Sequence, residues 1–160
     1  MEKKTVITEF SLCKTEELNT TYQTLVSRAQ EQTAKAYAPY SNFHVGAAVL
    51  LENGEIVAAS NQENSAYPSG LCAERVAMMY ANAQYPDVAP VAIAIAAYTQ
   101  GSFLANPITP CGACRQVLLE SEMRYEKDIT VLLYGTDHVY LIDNIRKLLP
   151  LCFEKSSLGR

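Results

Sequence analysis

The stretch "VAPVAIAIAAYT", residues 88–99, has no polar side chain between Val91 and Ala97. A half-exposed strand alternates apolar with polar residues, whereas a short continuous run rich in Ile and Val predicts a strand, here over about 91–98, buried on both faces. "DITVLLYG" at 128–135 predicts a second strand of the same kind. Between them, a loop with Pro107 and Pro110 leads into a helix predicted over about 112–123. Upstream, "VGAAVLLENGEIVAAS" predicts two short strands joined across the Asn53-Gly54 turn. A polar loop at 61–70 carries Pro68 and Gly70, and a helix follows from about Cys72 to Ala83. The chain's first helix is expected from Thr15, as N-cap, to about Ala36, on the recurrence of Leu18, Tyr22, Leu25, Val26 and Ala29. Pro39 in "APYSNF" breaks it, and "VYLIDNIRKLLP" at the other end predicts a short strand and a last helix. Strands alternating with helices after a hairpin imply an α/β fold with one mixed sheet and helices packed on its faces.

Neither repeat nor linker interrupts the 160 residues, and 49% of them are hydrophobic, so the expectation is a single domain over 1–160. Lys plus Arg number 13 against 17 Asp plus Glu, a formal charge of −4 without long blocks of either sign. Phosphate polymers require clustered cations, so small substrates are favoured over nucleic acid. The N-terminus "MEKKTVITEF" has no apolar core, and the run at 88–98 is too short to span a bilayer, which gives the expectation of a cytoplasmic protein with no membrane partner.

Cys13, Cys72, Cys111, Cys114 and Cys152 form an odd set, which argues against a disulfide framework and for metal or catalytic thiols. "PCGAC" at 110–114 puts two cysteines three apart at a helix start, with both sulfurs on one side, close enough to chelate one soft ion. Cys72 can add a third thiolate from another helix start, and zinc is the natural occupant. A lone C-x-x-C suits a redox pair or a closed structural site equally, and Cys13 or Cys152 could supply a fourth ligand to the latter. Against the structural reading stands Glu74, two residues after Cys72, as an acid over an open fourth position.

"CAE" at 72–74 with "PCGAC" matches the pattern of zinc nucleoside and nucleobase deaminases. The chain resembles the small cytidine deaminases more fully, because "APYSNFHVGAA", "NQENSAYPSGLCAER", "PCGACRQ" and "LLPLCF" have counterparts there in the same order, across about residues 14–155. The resemblance implies a three-layer cytidine-deaminase-like fold with a mixed five-stranded sheet and helices on both faces, assembled as a homotetramer. It implies one zinc ion per subunit on Cys72, Cys111 and Cys114, with Glu74 as the proton shuttle. Asn61 and Glu63 would hold the ribose, Phe43 would pack against the pyrimidine, Ala73 would belong to the substrate-binding set, and Phe153 would help close a pocket, often a neighbouring subunit's. Arg75 would hydrogen-bond the thiolates, offsetting the net negative charge of three of them around a divalent ion. Ala59 and Gln62 depart from the usual pattern, and the span from Cys72 to Cys111 is somewhat long; the zinc residues are intact.

The activity implied is hydrolytic deamination of cytidine and deoxycytidine, with a place in pyrimidine salvage. A carboxylate at Glu63 accepts from a free sugar hydroxyl but repels a phosphodiester, which favours monomeric nucleosides. The alternatives are a deaminase of another small amino-heterocycle, such as a nucleoside antibiotic, or a non-catalytic protein stapled by zinc. His44 and His138 have no spacing that suggests ligation, and Gln116 is a candidate for orienting backbone near the third ligand.

Overall fold

The computed structural model describes residues 1–159. Its elements run β1 (Ser11–Cys13), α1 (Thr20–Thr33), β2 (His44–Leu51), β3 (Ile56–Ser60), α2 (Ala73–Gln84), β4 (Pro90–Thr99), β5 (Ser102–Phe103), α3 (Gly112–Tyr125), β6 (Thr130–Tyr134) and β7 (Val139–Ile142). One sheet takes the order β1-β7-β6-β4-β2-β3, with β5 added against β4. β4 and β6 are parallel while the other pairs are antiparallel, so the sheet is mixed, as expected.

β4 is the middle of the molecule, and its apolar run is explained by what covers each face. Ile93, Ile95 and Ala97 join a core with Ala77, Met78 and Ala81 of α2 and Leu118 and Leu119 of α3. Ala92, Ala94 and Ala96 point the other way, onto Leu25, Val26 and Ala29 of α1. The strand period of two therefore puts Ile93 and Ile95 on the two-helix face and the methyl groups of Ala92, Ala94 and Ala96 on the one-helix face. Small residues let α1 lie close. At Gly46 on β2 the approach is so tight that a Cβ would fall 2.0 Å from the Ala29 carbonyl oxygen, so glycine is required there. In the β2–β3 hairpin, Gly54 takes a positive φ of 87°, in keeping with an Asn-Gly turn.

Three expectations are corrected. The five strands expected are present as β2, β3, β4, β6 and β7, but β1 and β5 bring the sheet to seven. The first helix starts at Thr20: Leu18 is extended, Thr15 opens a separate 3-10 turn, and Asn19 is the cap, its Oδ1 accepting from Tyr22 N at 2.9 Å. The last helix is a single 3-10 turn, Ile145–Leu148, with Asn144 as its cap. Pro150 disfavours helical backbone at Leu149, which leaves the helix at φ −140°.

Glu122 of α3 fastens this C-terminal end. Its Oε2 accepts from Ile129 N at 3.1 Å and Ile145 N at 2.8 Å, tying α3 to the start of β6 and to the 3-10 turn after β7. Oε1 is buried without a partner, and burial pushes the carboxyl above the usual range despite the two N–H donors. Glu122→Ala leaves two buried N–H groups unpaired and lowers the unfolding free energy by about 2–4 kcal/mol in urea titrations. Because the folded-state pKa is raised, Glu122 contributes fully below the ordinary carboxylate range and loses contribution as pH rises through the raised value. The gap between parent and variant narrows in that direction.

Candidate metal and substrate site

Three segments meet beside the β2 end of the sheet. The loop after β3 is pinned by backbone: Tyr37 N donates to Asn61 O at 3.0 Å, Glu63 N to Tyr37 O at 2.8 Å, and Gln62 and Leu71 exchange bonds of 2.9 Å in both directions. That last exchange closes the loop on itself and delivers Cys72 next to Asn61. Cys72 is then the N-cap of α2, and Cys111 is the N-cap of α3. Neither makes a side-chain capping bond, and both sulfurs turn instead toward Cys114.

The Sγ atoms of Cys72, Cys111 and Cys114 lie within 4.8 Å of one another, with Cys111 and Cys114 at 3.4 Å. Cys114 is fully buried, Cys72 partly, and Cys111 is exposed. Among the described residues no fourth Cys, His, Asp or Glu joins the group. Cys13 instead sits on β1 with its Sγ toward Val139 O, and Cys152 packs on the apolar core, so neither serves as a fourth ligand. The Cys72 thiol is lowered to about 7, first by its hydrogen bond with Cys114 and further by Cys111 and the Arg75 charge, against burial and Glu74. Cys114 is pushed up by the same bond with Cys72 and by burial. The thiols thus share protons, which a soft divalent ion would displace. Three thiolate donors with one open position fit zinc.

Cys72 and Cys111 border a cavity of about 540 Å³ whose lining also includes Phe43, Asn61, Glu63 and Glu74, with Cys114 buried behind them. Glu74, in the first turn of α2, is only 4% exposed, so it is a buried acid beside the thiol cluster. Asn61 is fixed at two points: Oδ1 accepts from Val45 N at 2.8 Å and Nδ2 donates to Phe43 O at 3.0 Å. One amide hydrogen and one lone pair remain for a ligand. Glu63 accepts from Tyr40 N at 2.9 Å, Ser41 N at 3.3 Å and the Ser41 hydroxyl. These bonds, the Ser41 hydroxyl first, hold its carboxyl below the usual range and keep it ionised.

Other residues singled out in the sequence lie elsewhere. Ala73 is fully buried at the start of α2 and does not line the cavity. Phe153 is 60% exposed and also outside that lining; its carbonyl accepts from Gln116 Nε2 at 2.8 Å. Gln116 therefore holds the C-terminal segment rather than the ligand turn. Arg75 has a buried Nε with no hydrogen-bond partner, and its charge lowers the Cys72 thiol. Arg115, not singled out, braces the ligand loop: Nε donates to Pro110 O at 2.8 Å, and its other nitrogens reach Leu148 O and Thr109 Oγ1. Tyr67, Leu71, Ile108 and Thr109 also line the cavity. Loop residues of this kind carry no periodic signal in the sequence.

The family model for the cytidine and deoxycytidylate deaminase zinc-binding region matches residues 19–127. The cytidine deaminase of Sporosarcina psychrophila is 37% identical over 143 residues, 84% of this chain and 93% of the relative. That of Halalkalibacterium halodurans is 43% identical over 99 residues, 61% of this chain and 70% of the relative. The crystal structure of the Burkholderia pseudomallei cytidine deaminase superposes with a TM-score of 0.69 at 37% identity, covering 82% of this chain and 98% of that one.

Proposed function

The chain belongs to the cytidine and deoxycytidylate deaminase family, and from that premise we propose that it converts cytidine and deoxycytidine to uridine and deoxyuridine with release of ammonia. The observation that carries this reading is the cluster of three sulfurs within 4.8 Å, two of whose residues, Cys72 and Cys111, line the same cavity as the buried Glu74. Cys72, Cys111 and Cys114 would hold one zinc ion per subunit, and the two helix starts they occupy favour their negative charge. When bound, zinc supplies Lewis acidity that makes water a usable nucleophile near neutral pH.

Glu74 does the proton work. Its carboxylate takes a proton from the water that adds at C4 of the pyrimidine and passes it to N3. It then takes the proton of the new C4 hydroxyl and gives it to the amine, which leaves as ammonia while the C4 carbonyl forms. Glu74 is 4% exposed and lines the cavity, so the small part of it that is accessible faces the substrate site. Arg75 supplies positive charge beside the thiolates. Asn61 and Glu63 hold the sugar with the acceptor and donor positions left after their own bonding, and Phe43 packs on the base. Phe43 is itself fixed through its backbone, N to Ser41 Oγ at 3.0 Å and O from Asn61.

The protein acts as a single catalytic domain, 1–160, in cytoplasmic pyrimidine salvage, and assembles as a homotetramer. Exposed Tyr67 and Leu71 at the cavity, Met79 and Tyr80 on α2, and Phe153 beyond its own cavity support subunit contacts near the sites, with Phe153 serving a neighbour. Among the described residues no helix is long and apolar enough to cross a membrane. The test is uridine formation from cytidine by zinc-loaded protein whose mass is measured by light scattering in the same buffer. Turnover by a species of about four chains is the expected result; a folded, zinc-retaining protein with no turnover would sink the activity, and an active monomer the assembly.

A further inference from the structure

We propose that Ser41 is a positioning residue that makes Glu63 a reader of one sugar hydroxyl, an inference that rests on the deaminase reading of the cavity above. An ionised carboxylate offers about four acceptor positions. In Glu63 three are already taken: Oε2 by Tyr40 N and Ser41 N, and Oε1 by the Ser41 hydroxyl. One position remains, on Oε1. The Ser41 hydroxyl has a single proton, and its oxygen accepts from Phe43 N at 3.0 Å, so the proton is committed to Glu63. One hydroxyl thereby sets two walls of the cavity, the carboxylate facing the sugar and the aromatic ring facing the base.

Without the hydroxyl, Glu63 keeps its two backbone donors on Oε2 but Oε1 loses its fixed orientation, and Phe43 N loses an acceptor. The loss is felt by substrates that present the hydroxyl and far less by one that lacks it. The 3′-hydroxyl is the one ring hydroxyl that cytidine and deoxycytidine share, so it is the hydroxyl assigned to Glu63. Deoxycytidine and 2′,3′-dideoxycytidine differ only there, and the ratio of their kcat/KM values isolates this contact.

In the parent enzyme the ratio strongly favours deoxycytidine. In Ser41→Ala it falls about tenfold, mainly through a raised KM for deoxycytidine, because a remote sugar contact binds ground state and transition state alike. Ser41→Thr, which keeps a hydroxyl, retains the parent ratio. A Ser41→Ala variant that loses both substrates in equal proportion, keeping the ratio, overturns the role of Ser41 while leaving the deaminase reading intact. A parent that handles the two nucleosides alike overturns the sugar-binding role of Glu63, and that of Ser41 with it.

Discussion

Glu74→Gln keeps its fold and its zinc but loses cytidine turnover by about 10²–10⁴-fold, the span expected when a positioned proton carrier is removed. The substitution preserves shape at a site that is 4% exposed, so packing against the thiol cluster is undisturbed. No ion pair among the described residues involves Glu74, so none is broken. What goes is the ability to accept a proton from water and return it to N3. The competing role is helix chemistry: an acid in the first turn of α2 gains about 0.3–1 kcal/mol from the dipole. That role predicts a small change in melting temperature and near-parental kcat. Paired measurement of kcat and bound zinc separates the two, since only loss of the shuttle removes turnover from a metal-loaded, folded protein.

Cys114→Ser gives the other large effect. Cys114 is fully buried in the first turn of α3, with Cys111 at 3.4 Å and Cys72 in the same group. Replacing one of three soft sulfurs by a hydroxyl oxygen that stays protonated at neutral pH weakens zinc binding on the order of 10³-fold. After dialysis against a mild chelator, zinc falls well below one per chain by elemental analysis, and turnover falls with it. Added zinc, which raises the melting temperature of the parent by binding the folded state alone, no longer does so in the variant. The double substitution Cys13→Ser with Cys152→Ser is the control. Those thiols lie outside the cluster, so zinc content stays at the parent level; a drop there would mean that the ligand set has been misassigned.

The parts of this molecule that could be read from the sequence are those where one physical demand fixes several neighbouring residues. β4 must be apolar on both faces, and its run says so. C-x-x-C at a helix start and an acid two residues after a third cysteine constrain one another in the same way. β1 and β5 escape such reading because they are three and two residues long. "SLC" at 11–13 is partly exposed and becomes a strand only through its pairing with β7, a partner more than a hundred residues away. The apolar residues of "NIRKLLP" have helical spacing, yet Pro150 permits only one turn. The cysteines, Glu74, Asn61 and Glu63 could be named from their motifs; Cys72, Cys111, Glu74, Asn61 and Glu63 lie together on one cavity, and Cys114 is grouped with the first two behind its wall. Ser41 could not, because its part depends on a loop fold in which Asn42 adopts a positive φ of 53°. Arg115 was likewise hidden, since its bonds reach both the ligand loop and the far end of the chain.

The zinc residues sit at the starts of two different helices, about forty positions apart, and this arrangement can also be considered in time. Neither α2 nor α3 carries all three sulfurs, so no isolated segment of the growing or refolding chain can present the complete set. β4 lies between the two helices in sequence and packs against both in the core, so the native spacing of the two helix starts depends on it. Closing a loop of that length costs entropy ahead of any reward from coordination. Zinc capture is accordingly a late event in folding, and a chain that binds the ion tightly has already built the floor of its pocket.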